Sequence, residues 1–155
     1  MKRTCIVALL FFSFPLLSST NPADVEGLEM VSSPYTVSQT AENLVTVLEQ
    51  NNMQVFSRIN HSQAAKDVGI ALRPTELVIF GNPEVGSKLM QCQQSMGIDL
   101  PLKALIIEDE DGKVWLSYNA PSYLEKRHKL VGCNALGEKI ATSLAKFSAL
   151  ATKQE

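Results

Sequence analysis

Apolar and polar positions alternate along the chain in short stretches, and the period switches back and forth between strand and helix. Leu28 to Ser33 predicts a first strand. Thr36-Val37-Ser38-Gln39 then has capping-box spacing, and Val37, Ala41, Leu44, Val45 and Leu48 share one helical face that ends at Asn51-Asn52. Met53 to Ile59 alternates as a half-buried strand does. Asn60, with Gln63 three residues on, is placed to cap a short helix that stops at Gly69. Glu76 to Phe80 holds the unbroken run LVIF, the mark of a central strand.

The second half continues the pattern. Asn82 caps and Pro83 opens a helix with Val85, Leu89, Cys92 and Met96 on one face and Gly97 at its end. Leu102 to Ile107 is a further apolar strand, and the tight turn Asp111-Gly112 leads into Lys113 to Tyr118. On that strand Trp115 and Tyr118 fall on opposite faces. A short helix over Pro121 to His128 precedes a last one, capped by Asn134, that turns Leu136, Ile140, Leu144 and Phe147 inward. About five strands, several helices and one hairpin predict an α+β two-layer sandwich, helices packed on the sheet, rather than a doubly wound sheet.

The first residues change the picture of where the protein works. Lys2 and Arg3 precede an apolar run from Cys5 to Leu17, followed by Ser18, Ser19 and Thr20. A basic start, a short apolar core and a small-residue exit describe a secretory signal peptide. The run has 13 residues, whereas a spanning helix needs roughly 20. The expected organisation is a leader over 1–20, a mobile lead over 21–27 and a single domain over 28–150. It implies a periplasmic or secreted protein with no stable membrane anchor after cleavage. Loss of Lys2 and Arg3 takes the formal charge from −2 to −4. That mild acidity speaks against a nucleic-acid partner and against an anionic membrane surface.

Two cysteines follow the leader, Cys92 and Cys133. In an oxidising compartment an even pair invites a disulfide, yet Cys92 also falls on an apolar helix stripe, so two buried thiols fit the spacing equally. Met90, Cys92 and Met96 lie close together, and soft sulfur ligands select copper(I); methionines on a core face also simply fill gaps.

His61 opens the short helix after Asn60, with Arg58 two residues before that asparagine, a combination able to hold a carboxylate or phosphate. Arg73, extended before Pro74, either joins that site or clamps Asp99. Asn82 and Tyr118 are candidate wall residues. His128, near a helix C-terminus, suits a charged surface role. The acidic run Glu108 to Asp111 lacks the acids a calcium loop would need, so it reads as a solvated hairpin. No nucleophile motif and no phosphate loop is present. A His/Arg/Asp/Tyr set could still converge in space.

With these elements in place, "RINHSQAAKDVGIALRPTELVIFGNP", "LMQ" and "DLPLKALIIEDEDGKVWLSYNAPSYLEKRH" together resemble the domain of unknown function 302 family. The likeness runs from about Leu28 to His128 and into the final helix. It implies a compact α+β domain that self-associates, and no established reaction, cofactor or ligand. Cys92 and Cys133 depart from the family's usual pattern. The expectation is an exported module that binds a small anion through Arg58, His61, Arg73, Asn82 and Tyr118, without a cofactor, and forms a homo-oligomer such as a dimer. A metal or redox protein using Met90, Cys92 and Met96, with Cys133 as a further member, and a structural dimer without a ligand, are the alternatives.

Overall fold

The computed structural model describes residues 25–153. The expected leader lies outside them, as does most of the lead. Five strands, β1 (Leu28–Ser33), β2 (Gln54–Asn60), β3 (Thr75–Gly81), β4 (Leu102–Glu108) and β5 (Val114–Asn119), form one sheet in the order β1-β5-β4-β3-β2. Every neighbouring pair is antiparallel. The helices are α1 (Val37–Gln50), α2 (His61–Asp67), α3 (Pro83–Cys92), α4 (Pro121–His128) and α5 (Asn134–Ala151). The fold is α+β, as the alternation of periods predicts.

Local chemistry explains the boundaries. The Thr36 side chain accepts from Gln39 N–H to start α1, Asn60 does the same for Gln63, and Asn82 accepts from both Glu84 and Val85. Asn134 does not act as a cap. It is the first residue of α5, and Cys133 occupies the cap position without a side-chain hydrogen bond. At the chain's start, the Gly27 carbonyl accepts from Ala120 N–H, and a Cβ on Gly27, at φ +78°, would collide with the Tyr123 ring. The end of the expected mobile lead is therefore held against α4.

Side-chain alternation sorts the sheet into two faces. Val78, Phe80, Ala104, Ile106, Leu116 and Tyr118 are buried beneath α1 and α5, where Leu44, Leu48, Leu144 and Phe147 complete the core. Burying side chains of this size contributes roughly 1.5–3 kcal/mol each against leaving them in water. Buried polar groups on this side find partners: Ser33 Oγ and Thr40 Oγ1 lie 2.7 Å apart. On the opposite face Ile59, Leu77, Leu105, Ser117 and Met30 stand opposite one another across all five strands.

Two local departures from simple periodicity shape the molecule. The alternation of β2 is broken by a bulge at Phe56, between Val55 and Ser57, which leaves the Phe56 ring 45 % exposed. The helix expected to run from Pro83 to Gly97 stops at Cys92. Gln93 is extended, and a 3-10 helix over Gln94–Ile98 follows. Polar Gln93, Gln94 and Ser95 provide no apolar face to prolong α3, while Met96 is buried with Leu89 and Leu124 in a second, smaller core.

Candidate functional site

The bulge and the early end of α3 together open a cleft. Only Leu89 of α3 is buried, so the helix stands off from α5 instead of packing along it. The space between them measures about 430 Å³, within the range of small-molecule sites. Its floor includes Met53 and Phe56 at the sheet end, and its walls include Leu89, Leu136, Ile140 and Phe147. Gly86 and Ser87 keep the α3 wall low; a Cβ on Gly86 would reach only ordinary contact with Leu100. The polar contribution is small: Asn82 and Ser87 from the α3 side and Ser143 from α5, with the exposed Lys139 of α5 as the cation.

A covalent tie joins the walls. Cys92 closes α3, Cys133 immediately precedes α5, and the two form a disulfide with Cα atoms 6.6 Å apart. The bridge settles the open question about these thiols. It also bonds the Cys92 sulfur to another sulfur, and Met96 is enclosed in the small core. The copper set Met90, Cys92 and Met96 therefore lacks its thiolate in this structure, and Met90 lines the cleft instead.

The residues expected to hold an anion are placed as follows. Arg58 donates through Nε to Glu76 Oε1 at 2.6 Å, and Glu76 is only 5 % exposed. Arg73 donates to the Glu108 carbonyl at 3.1 Å and does not clamp Asp99. His61 is half-buried at the start of α2, and among the described residues its ring meets no hydrogen-bonding partner. A shallow hollow beside α2 is lined by Asn60, Lys66 and Ile70, and neither His61 nor either arginine lines it. Tyr118 lies in the main core, where burial holds its phenol above the ordinary value and a hydrogen bond with Ser148 acts in the other direction. Of the five, Asn82 alone lines the large cleft, and its side-chain oxygen is engaged in capping α3.

His128 is the main correction. Expected as a charged surface group, its side chain is 5 % exposed and hydrogen-bonded at both ring nitrogens. Nε2 lies 2.6 Å from Asp99 Oδ2, and Nδ1 lies 2.8 Å from Ser95 Oγ. Arg127 approaches the same Asp99 oxygen at 3.4 Å. The C-terminal turn of α4 packs against the 3-10 helix, a contact that no sequence period announces.

The model of the family described as domain of unknown function DUF302 matches residues 29–147. The chain belongs to the DUF302 family. A solved DUF302 protein, an uncharacterized conserved protein from Bacillus stearothermophilus, superposes with a TM-score of 0.67 at 19 % identity, covering 83 % of this chain and 97 % of that one. Among curated proteins, "Fluoride-specific ion channel FluC 1" of Brucella suis and of Brucella abortus are each 46 % identical over 104 residues, or 67 % of this chain. The chain spans about two-fifths of those relatives' length, 41 % and 38 %.

The arrangement in this DUF302 domain can accept an apolar body between α3 and α5 and an acidic group at Lys139. Sequence reading missed the cleft because its lining residues are those expected in a core: Leu136, Ile140 and Phe147 carry an inward helical period whether or not a neighbour fills the space. The available signal was the pair Gly86-Ser87 in the middle of an otherwise ordinary helix.

Proposed function

We propose that this DUF302 domain is an exported module that binds a small amphipathic anion, with its apolar part in the cleft between α3 and α5 and its acidic head at Lys139. The observation that carries the reading is an apolar cleft of about 430 Å³ with a lysine on its rim. Apolar walls reward ligand carbons, and the lysine orients one end. Export rests on the leader-like first 20 residues and on a Cys92–Cys133 disulfide of the kind that persists in oxidising compartments. No helix among the described residues is long and apolar enough to cross a membrane.

A titration series of straight-chain carboxylates followed by calorimetry tests the reading. Each added methylene that enters the cleft should strengthen binding by about 0.8 kcal/mol, roughly fourfold, until the cleft is full. Lys139→Glu should weaken every member of the series, and Gly86→Leu should shorten the chain length at which the gain stops. Equal binding of acetate and decanoate would contradict the proposal.

Self-association through the open sheet face is part of the same reading. Antiparallel sheets with one wet face usually place polar residues there, whereas here Ile59, Leu77, Ile79, Leu105 and Ile107 occupy it, with Trp115 beside them. A second copy of the chain, presenting the same face, is the occupant proposed.

A further inference from the structure

We infer that Ser95, His128 and Asp99 form a second site, separate from ligand binding in the cleft, in which Ser95 is a nucleophile activated by His128. With Asp99 ionised and His128 neutral, the hydrogen-bond pattern has a single direction of proton traffic. An ionised carboxylate only accepts, so the 2.6 Å contact between Asp99 Oδ2 and His128 Nε2 places the proton on Nε2. In the neutral imidazole Nδ1 then offers a lone pair, and Ser95 Oγ, 2.8 Å away, donates to it. A hydroxyl on a base that is itself oriented by a carboxylate is the arrangement nucleophilic catalysis requires, here with the two ring nitrogens in exchanged roles.

Burial divides the labour among the three. His128 is enclosed, Asp99 is 14 % exposed at its side chain, and Ser95 is exposed on the 3-10 helix. The base and its positioning residue are thus held still, while the residue that carries the reacting oxygen is exposed. Arg127 at 3.4 Å and the Lys103 ammonium, which donates to the Asp99 carbonyl at 3.0 Å, keep the Asp99 segment in place from α4 and β4. Gly97, two residues after Ser95, lines the apolar cleft, and Ser95 itself does not.

The chemistry is acyl transfer to water from a carboxylic ester. Ser95 Oγ bonds to the carbonyl carbon as its proton passes to His128 Nδ1. The carbon–oxygen bond to the alcohol then breaks, and the alcohol leaves with that proton. Water, deprotonated by Nδ1, attacks the acyl-serine, and the carboxylic acid departs as the proton returns to Ser95. Water is the only co-reactant. The Asp99 carboxylate keeps Nε2–H oriented throughout.

An ethyl fluorophosphonate probe, read by intact mass and peptide mapping on the folded, disulfide-bonded protein, tests the nucleophile directly. The expected result is one adduct on Ser95, lost in Ser95→Ala and formed at least tenfold more slowly in His128→Gln. Should His128→Gln fail to fold, Ser95→Cys provides the second measurement: its thiol should be alkylated by iodoacetamide at least tenfold faster than an exposed cysteine placed at Ser38. No adduct at Ser95, a rate unchanged in folded His128→Gln, or an ordinary alkylation rate in Ser95→Cys would overturn the inference. An octyl probe separates it from the cleft reading. If ethyl and octyl probes label Ser95 equally, the nucleophile stands and the cleft does not serve its substrate.

Discussion

Arg58 shows how one contact redirects a residue's role. Its guanidinium neutralises Glu76, a carboxylate almost sealed beneath the helices. Removing one partner of such a pair strands the other, which costs far more than replacing both with apolar groups. Arg58→Met should therefore lower unfolding stability by about 2–3 kcal/mol, discounted from the fully buried case because Arg58 is partly exposed. Arg58→Met with Glu76→Met should recover most of that loss. A urea-denaturation double-mutant cycle measures it; a single mutant as stable as the parent would show the pair to be inert. Nothing in the sequence around Arg58 distinguishes an arginine that waits for a ligand from one that already has a carboxylate eighteen residues on. Residue types and local caps were legible at this scale, since Asn60 and Asn82 do what their spacing implies. Partners across the fold, such as Ser95 and Asp99 for His128, were not.

Among the elements, the β4–β5 hairpin carries a titratable lock. Asp109 accepts from the Trp115 indole N–H at 2.7 Å and from Lys113 N–H at 2.8 Å. The indole hydrogen bond, followed by the Lys113 backbone bond, holds its carboxyl below the ordinary aspartate value. A carboxyl depressed in the folded state stabilises it fully once an unfolded aspartate is ionised, above about pH 4–5, and the contribution is lost as pH falls through the folded value. Trp115 is the sole tryptophan, so its fluorescence reports the lock. Emission should shift in acid below about pH 4 in the parent, and Asp109→Asn should abolish that step while leaving far-UV circular dichroism intact. A fluorescence step unchanged in Asp109→Asn would refute the assignment. Sequence periodicity placed both strands and the turn at Gly112, because hairpin turns are decided by a few adjacent residues. It extended α3 too far, because Gln93 turns extended after Cys92 and the polar run Gln93 to Ser95 offers no apolar face to continue the helix.

At the scale of the whole molecule, the sheet has one face under helices and one without. The uncovered face is apolar along the ladder Ile59, Leu77, Leu105 and across Ile107 and Trp115. Leu105→Lys puts a charge at its centre, opposite Leu77 and Ser117, without touching the helix-covered core. Sedimentation velocity should show a dimer for the parent and a monomer for Leu105→Lys, with equal thermal midpoints extrapolated to low concentration. A monomeric parent would remove self-association from the proposed function, and the cleft reading would stand apart from it.

The sequence by itself determined the strands, most helix starts, the α+β class and the family resemblance. The first three follow from neighbours a few residues apart, through side-chain period, capping hydrogen bonds and turn conformation, and the resemblance rests on motifs spread in order along the chain. Tertiary structure alone decided that Cys92 meets Cys133, that α3 stands clear of α5 over a cleft, and that His128 turns inward between Ser95 and Asp99. Those outcomes depend on how elements distant in sequence fill space together, and an apolar stripe looks the same in sequence whether its far side meets a packed helix or an open cleft.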